Sequence, residues 1–520
     1  RGRKSSWMMD ALKDNLVAIA YMKSQLVSKH VVKGECRYFA QYLEQDATAK
    51  TFFKPLMDAY GMSLLNKEAY IKDVMKYSKP LDIGVVDCNA FEKSVVRVIT
   101  YLQLKGFRQC TFVTDEEEIF KALNMNTAVG AMYGGKKKDY FDGYTSEQKE
   151  QILRESCLRL YKGQLGVWNG SLKAELRPME KIKENKTRSF TAAPLDTLLG
   201  GKVCVDDFNN QFYSKNIECC WSVGMTKFYG GWNKLLTALP EGWVYCDADG
   251  SQFDSSLTPY LINAVLAIRC TFMEDWDIGH KMLEHLYTEI IYTPISTPDG
   301  TIIKKFKGNN TGQPSTVVDN SLMVVLAMNY AFEKEGISEK EIDSVCKFFV
   351  NGDDLLIAIN PAHESMLDRL QAHFSELGLN YDFSSRTRDK TKLWFMSHCG
   401  ISVEGMYIPK LEEERIVSIL QWDRAVIPEY RLEAICAAMI ESWGYPQLTN
   451  EIRRFYSWLI EQEPFAQLAA EGRAPYISEL ALKKLYLNTT IESHELEAYM
   501  QTFAQFDEDF ECGCYEVRHQ

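Results

Sequence analysis

Asp353-Asp354 stands between two apolar runs, residues 347–350 and 355–359, directly after an Asn351-Gly352 dipeptide. Asn-Gly between apolar runs predicts a tight hairpin, because a type I′ turn needs positive φ at both central positions. A hairpin tip holds two carboxylates rigidly and close together, and a divalent cation offsets their repulsion. A second acidic segment reads Tyr245-Cys246-Asp247-Ala248-Asp249-Gly250-Ser251-Gln252-Phe253-Asp254. Here a short apolar strand at 243–246 is expected to deliver carboxylates to a loop. If the two strands are neighbours, Asp249 and Asp353 can share a pair of metal ions. Carboxylate oxygens without a His or Cys set suit magnesium, with manganese as the alternative. Two such ions about 3.5–4 Å apart stabilise the attacking and leaving oxygens of an in-line phosphoryl transfer. Singly, the segments read equally well as a polar turn and an acidic surface loop. Gly-Asp-Asp alone arises by chance in roughly one chain in ten of this length.

Between the acidic segments lies Gly308-Asn309-Asn310-Thr311-Gly312-Gln313-Pro314-Ser315-Thr316-Val317-Val318-Asp319-Asn320. A polar loop opens a helix at Pro314, and Thr316 and Asn320 fall one turn apart on the same face. Hydroxyl and amide groups placed so can bond to a sugar; a helix cap with buried polar groups is the plainer reading.

The surrounding pattern supplies elements to hold these residues. Residues 259–273 and 314–333 read as buried helices, the second ending at Gly336 as C-cap. A hairpin is expected over 293–303, turning at Pro298-Asp299-Gly300. Asn360-Pro361 starts a helix that ends near Gly378. Residues 92–103 have helical spacing, 109–113 look like a strand, and a glycine- and lysine-rich loop follows at 127–138. After about 406 the chain reads as almost entirely helical, with amphipathic segments at 431–443, 448–461, 477–487 and 491–503.

The chain has 520 residues, 46% of them hydrophobic, too long for one compact core and implying two to four subdomains. No run approaches the roughly 18 apolar residues of a membrane span. The 14 cysteines show no paired CxxC motifs, which argues against zinc and for free thiols. Net charge is −12, yet basic residues concentrate at Lys136-Lys137-Lys138 and at Lys173, Arg177, Lys181, Lys183, Lys186 and Arg188. An acidic exterior around a basic channel fits both facts, since steering follows the local field. Each cluster alone is readable as a solvated basic face.

In chain order the three segments resemble motifs A, B and C of the viral RNA-dependent RNA polymerases. Asp249 to Asp254 reproduces D-x4-D. Thr311-Gly312, Thr316 and Asn320 reproduce [ST]-G-x3-T-x3-N, and Gly352-Asp353-Asp354 is the third motif. Lys173-Ala174-Glu175-Leu176-Arg177 through Lys181 to Arg188 resembles the basic finger over the incoming triphosphate. Thr127-Ala128-Val129-Gly130 before the lysine run, with Lys136 and Lys137, resembles the template guide. Trp394 to Gly400 falls where the primer grip belongs. Lys390 falls where a general-acid lysine would protonate pyrophosphate, although residues 384–392 fit that pattern poorly. Phe190-Thr191-Ala192-Ala193-Pro194-Leu195-Asp196-Thr197, residues 246–257 and Leu411-Glu412-Glu413-Glu414-Arg415 narrow the resemblance to the nuclear-inclusion polymerases of potyviruses.

The resemblance implies an α+β right hand of the closed viral type. Fingers with an N-terminal extension would occupy 1–240, a palm 241–405 with some finger insertion, and a helical thumb 406–520. It implies Asp249 and Asp353 as principal metal ligands with Asp354 supporting, and two Mg2+ ions with Mn2+ as alternative. Arg188, Lys181, Arg177 and Lys173 would neutralise the triphosphate. Asp254, Thr311 and Asn320 would read the ribose 2′-hydroxyl, with Gly312 and Thr316 also among the substrate-binding residues. The implied partners are RNA template and primer, ribonucleoside triphosphates, the viral genome-linked protein and protease, and host translation factors. The implied locations are membrane-associated replication complexes in the host cytoplasm, and nuclear inclusions. The C-terminal Tyr515-Glu516-Val517-Arg518-His519-Gln520 resembles the product side of a potyviral protease cut, and a start at Arg1 suits a polyprotein product. Arg1-Gly2-Arg3-Lys4 reads as a solubilising tail or an import signal. Two other classes stay open: a reverse transcriptase-like polymerase, against which Asp254 and Asn320 speak, and a non-catalytic RNA-binding scaffold, against which the intact acidic residues speak.

Overall fold

The structure is a computed structural model that describes residues 6–22, 34–81, 85–123, 128–130, 133–423 and 427–489. At its centre the strand Val244–Ser251 pairs antiparallel with Asp354–Ile359 on one side. On the other side it pairs with Asn380–Asp382 and Arg386–Thr387. Cys346–Asn351 closes the edge beyond Asp354–Ile359. Both faces of this sheet are covered. Val244, Cys246, Leu355 and Ile357 pack with the helices Cys88–Leu104, Pro259–Phe272, Ile278–Ile291 and Thr316–Lys334. Tyr245, Phe349, Leu356 and Ala358 pack on the opposite face with Trp232, Leu235 and Phe395. Burial on both sides explains why residues 355–359 are an unbroken apolar run rather than an alternating one.

A second five-stranded sheet runs in the order Val17–Tyr21, Thr301–Lys304, Pro294–Ser296, Trp168–Leu172, Ser189–Ala192. It joins three distant parts of the chain. Its hairpin turns where the Pro-Asp-Gly signal placed it, and the Asp299 carboxylate accepts from Ser6 Oγ at 2.6 Å and Met8 N at 3.0 Å.

The third assembly surrounds the helices Pro428–Ser442, Pro446–Leu459, Phe465–Ala470 and Glu479–Leu487. Two early helices, Arg37–Gln45 and Ala47–Phe53, share its core. Phe39 sits 5.1 Å, centroid to centroid, from both Phe53 and Phe455. Among the described residues no helix is long and apolar enough to cross a membrane.

Four sequence expectations need correction. The predicted strand at 109–113 has only an isolated bridge from Cys110 to Met273. Its amides go instead to the Asp207 carboxylate and the Val203 carbonyl. The acidic loop after 246 is strand as far as Ser251, because Asn380–Asp382 gives those residues a ladder partner. The tight turn is Gly352-Asp353, not Asn351-Gly352: Asn351 pairs with Asp354, and of the two loop residues only Gly352 has positive φ, at 58°. The region after 406 opens with a strand, Met406–Lys410, paired with Cys399–Val403. The helix expected at 491–503, the terminal segments and Thr127 lie outside the described residues.

Phe39→Ala should lower unfolding free energy by about 3–5 kcal/mol, as for other buried aromatic truncations. A urea titration measures this; a loss under 1 kcal/mol would show that the early helices are not part of the C-terminal core.

Candidate active site

The register of the central sheet brings the acidic residues together. Leu355 stands opposite Ala248, so one step further along the ladder Asp354 meets Asp249. The tight turn sets Asp353 beside them. Tyr381 lies across Gly250, where an added Cβ would fall 2.8 Å from its ring, and its hydroxyl donates to the Asp353 carbonyl at 2.5 Å. Ser321 Oγ accepts from Gly352 N at 2.8 Å, tying the turn to the helix Thr316–Lys334. Asp249, Asp353 and Asp354 therefore share the floor of a cleft of about 1320 Å3.

Protein crowds this floor although solvent reaches it. Burial pushes the Asp354 carboxyl up to about 8, and the Asp353 and Asp249 charges add to the effect. Burial and Asp249 push Asp353 up as well, while Arg188 pulls the other way. The carboxylates repel one another in their charged form, and a divalent cation would offset that repulsion. The donor set is oxygen alone. Among the described residues no group of three or more His, Cys, Asp or Glu forms a ready-made metal cluster, so the fit rests on these carboxylates and their facing positions.

The opposite wall is basic. Lys173, Arg177, Lys181, Lys186 and Arg188 line the same cleft. The Arg188 guanidinium grips the Glu175 carboxylate through Nε at 2.6 Å and Nη2 at 2.5 Å. Although burial opposes its charge, Glu175 holds the guanidinium above its usual range. Burial, with Arg188 nearby, lowers Lys173 to about 8. Such crowding of positive charge favours an anionic ligand.

The polar loop closes a third side. Asn320 Nδ2 donates to Asp254 Oδ1 at 2.9 Å, and Asn309 Nδ2 donates to Asn320 Oδ1 at 2.9 Å. Thr311 Oγ1 accepts from Thr191 N at 3.1 Å. Gly312 lies so close to the strand Ser189–Ala192 that a Cβ would meet Thr191 O at 2.6 Å. The Thr316 hydroxyl donates to Asn310 O at 2.9 Å, so it secures the loop although it reaches the cleft.

Other expected residues sit elsewhere. Lys390 is buried, donating to Leu239 O at 2.7 Å and Glu241 Oε1 at 2.6 Å, and is not part of the cleft lining. Gly130 belongs to the short strand Ala128–Gly130, paired with Tyr133–Lys136. Lys136 is exposed, whereas the Lys137 ammonium is buried and thereby lowered to about 8. Neither lysine lines the cleft. The sequence reading missed Asp73, which accepts from Ser189 N and Oγ at 2.8 and 2.5 Å, and Lys72, Lys76 and Lys79 on the cleft rim. It assigned no role to Glu175 or Asn309. A run of lysines at 72, 76 and 79 was the available signal, at helical spacing.

Asp254 offers a pH test. Burial raises its carboxyl from 3.8 to about 6, with the Asn320 bond acting against the rise. The fold therefore disfavours the charged form. The cost is absent below the unfolded value, grows as pH rises, and is complete above the folded value. Asp254→Asn should match the intact chain near pH 4 and exceed its stability by up to about 3 kcal/mol above pH 6. Urea melts across that window check it; a pH-independent difference would refute the buried-charge account.

A family profile described as "Viral RNA-dependent RNA polymerase" matches residues 40–460. The genome polyprotein of Lettuce mosaic virus (strain 0, isolate French) is 65% identical over 522 aligned residues, covering 100% of this chain and 16% of the polyprotein. The genome polyprotein of Plum pox potyvirus (strain Rankovic) is 62% identical over 521 residues, again 100% of this chain and 16% of its own length. That of Tobacco vein mottling virus is 64% identical over 499 residues, 96% of this chain and 16% of its own. The chain thus spans about 16% of the length of these curated relatives. With an acidic floor, a basic wall and a family match over most of its length, the chain belongs to the viral RNA-dependent RNA polymerases, in the form found within potyvirus genome polyproteins.

Proposed function

We propose that this cleft performs template-directed RNA synthesis from ribonucleoside triphosphates on an RNA template, replicating a positive-strand viral genome. The observation that carries the reading is the facing of Asp249, Asp353 and Asp354 against Lys173, Arg177, Lys181 and Arg188 across one cleft. Asp249 and Asp353, with Asp354 in support, would hold two magnesium ions, or manganese, since all three offer hard oxygen donors. When bound, the ions make the primer 3′-hydroxyl more acidic and stabilise charge on the triphosphate. The protein's share is positioning and electrostatics, which carry most of phosphoryl-transfer catalysis. Arg188, fixed by Glu175, presents a planar donor fork to phosphate oxygens. Lys173 and Arg177 neutralise the same group, and Lys181 extends the wall. Asp254 and Asn320 bind the ribose 2′-hydroxyl, so a deoxynucleotide forfeits that hydrogen bond. A reverse transcriptase reading gains no support from this polar side of the cleft.

The right-hand division gives the three apolar assemblies their roles. The palm is the central sheet with its two covering layers. The fingers are built on the second sheet, which draws residues 294–304 out of the middle of the chain, and the thumb on the C-terminal core, which draws in 36–53. RNA template and primer are the macromolecular partners of the cleft. Location at replication membranes in the host cytoplasm is what the family resemblance supports.

Primer extension on a homopolymer RNA template with magnesium and ribonucleotide tests the reading. Asp353→Ala should lower incorporation by on the order of a hundredfold or more while RNA binding persists. Equal extension by both proteins would remove Asp353 from the site. RNA binding without extension by the intact chain would favour a scaffold.

A further inference from the structure

Behind the Asn320–Asp254 pair runs a chain of buried side-chain amides with defined polarity. It begins at Asp319, which is 1% exposed and is not part of the cleft lining. Asp319 Oδ1 accepts from Arg269 Nε at 3.2 Å and Nη2 at 2.8 Å, and its Oδ2 accepts from Tyr287 at 2.7 Å. The same Oδ2 accepts from Gln313 Nε2 at 2.8 Å. Gln313 Oε1 accepts from Ser315 N at 2.7 Å. A carboxylate can only accept and a backbone N–H can only donate, so Gln313 has one permitted orientation. Gln313 Nε2 also lies 3.2 Å from Asn309 Oδ1, which accepts from Asn310 N at 2.9 Å. Asn309 is fixed in the same way, and its Nδ2 must point at Asn320 Oδ1, 2.9 Å away. Asn320 is thereby left with its N–H group facing Asp254 Oδ1 at 2.9 Å.

We infer that Asn309 and Gln313 are positioning residues for ribose selection: they transmit the polarity of the buried Arg269–Asp319 ion pair to Asn320 and hold its amide donor-first toward Asp254. The inference rests on the polymerase reading of the cleft. Asn309 and Gln313 are 1% and 7% exposed, and neither belongs to the cleft lining, so they act through Asn320 and not on substrate. Without the Asn309 donor, Asn320 Oδ1 loses its buried partner and only Asp254 is left to orient the amide. The ribose 2′-hydroxyl would then meet a less firmly held Asn320–Asp254 pair, whereas a deoxyribose would lose nothing.

Single-nucleotide incorporation on a primed RNA template separates the outcomes, comparing a ribonucleotide with its 2′-deoxy analogue. Asn309→Asp removes the N–H that orients Asn320 and keeps the shape. Gln313→Glu removes the N–H group shared by Asp319 and Asn309. Each should lower the ribo-to-deoxy ratio of kcat/KM by about tenfold, through the ribonucleotide and not the deoxynucleotide, the loss expected when one discriminating hydrogen bond is disordered. Asn309→Ser, which retains a donor, should recover part of the ratio. Equal losses for both nucleotides, or an unchanged ratio, would overturn the inference while the intact chain's ribonucleotide incorporation keeps the polymerase reading standing. If all three variants melt below the assay temperature, the chain of amides is structural and the inference falls. If the intact chain incorporates neither nucleotide, the polymerase reading itself fails.

Discussion

The pairing of Val244–Ser251 with Asp354–Ile359 is the constraint on which the rest of the molecule turns. Side chains alternate along a strand, so a one-residue slip would send Asp249 to the wrong face and break the meeting of the three carboxylates. The register is held from both faces. Ile357 and Cys246 are locked against the helices on one side, Leu356 and Tyr245 against Trp232 and Phe395 on the other. Tyr381 adds a clamp at the open end, reaching across a glycine to the carbonyl of the turn. A site made of like charges needs such rigidity, because its own electrostatics push it apart.

The second organising feature is the separation of charge across the cleft. The acidic floor comes from the central sheet. The basic wall comes from the segment around Leu176–Pro178, which pairs with Tyr60–Met62, and from the strand Ser189–Ala192 of the second sheet. Glu175 and Asp73 tie that wall down: one holds a guanidinium, the other a backbone amide and a hydroxyl. The wall is thus a preorganised set of cations with internal counter-charges, so an arriving polyanion need not order it. The net charge of −12 says little about such a surface.

Much of the centre was legible in the sequence because it is local. Pro-Asp-Gly placed one hairpin, Asn360-Pro361 capped its helix with Asn360 Oδ1 accepting from Ala362 N, and Gly336 at φ 70° ended the helix Thr316–Lys334. The turn at the acidic pair was misplaced by one residue because the strand keeps pairing through Asn351. The acidic segment was taken for a loop because its ladder partner, Asn380–Asp382, comes some 130 residues later. Long-range pairing also hid Asp73 and the lysines around it, which reach the cleft only through the second sheet's assembly. Lys390 shows the opposite error: a residue type at a suggestive position, whose ammonium the fold buries against Leu239 and Glu241.

The early helices that complete the C-terminal core set a timetable for the nascent chain. Trp458 Nε1 donates to Gln45 Oε1 across a separation of 413 residues. At ribosomal rates of about 5–20 residues per second, that partner is made roughly 20–80 seconds later. During that interval Phe39, Tyr42 and Phe53 have been synthesised but most of the surface that will cover them has not. Their exposed apolar face must be sheltered by transient contacts or by chaperones, and the C-terminal core is among the last parts of the molecule able to close.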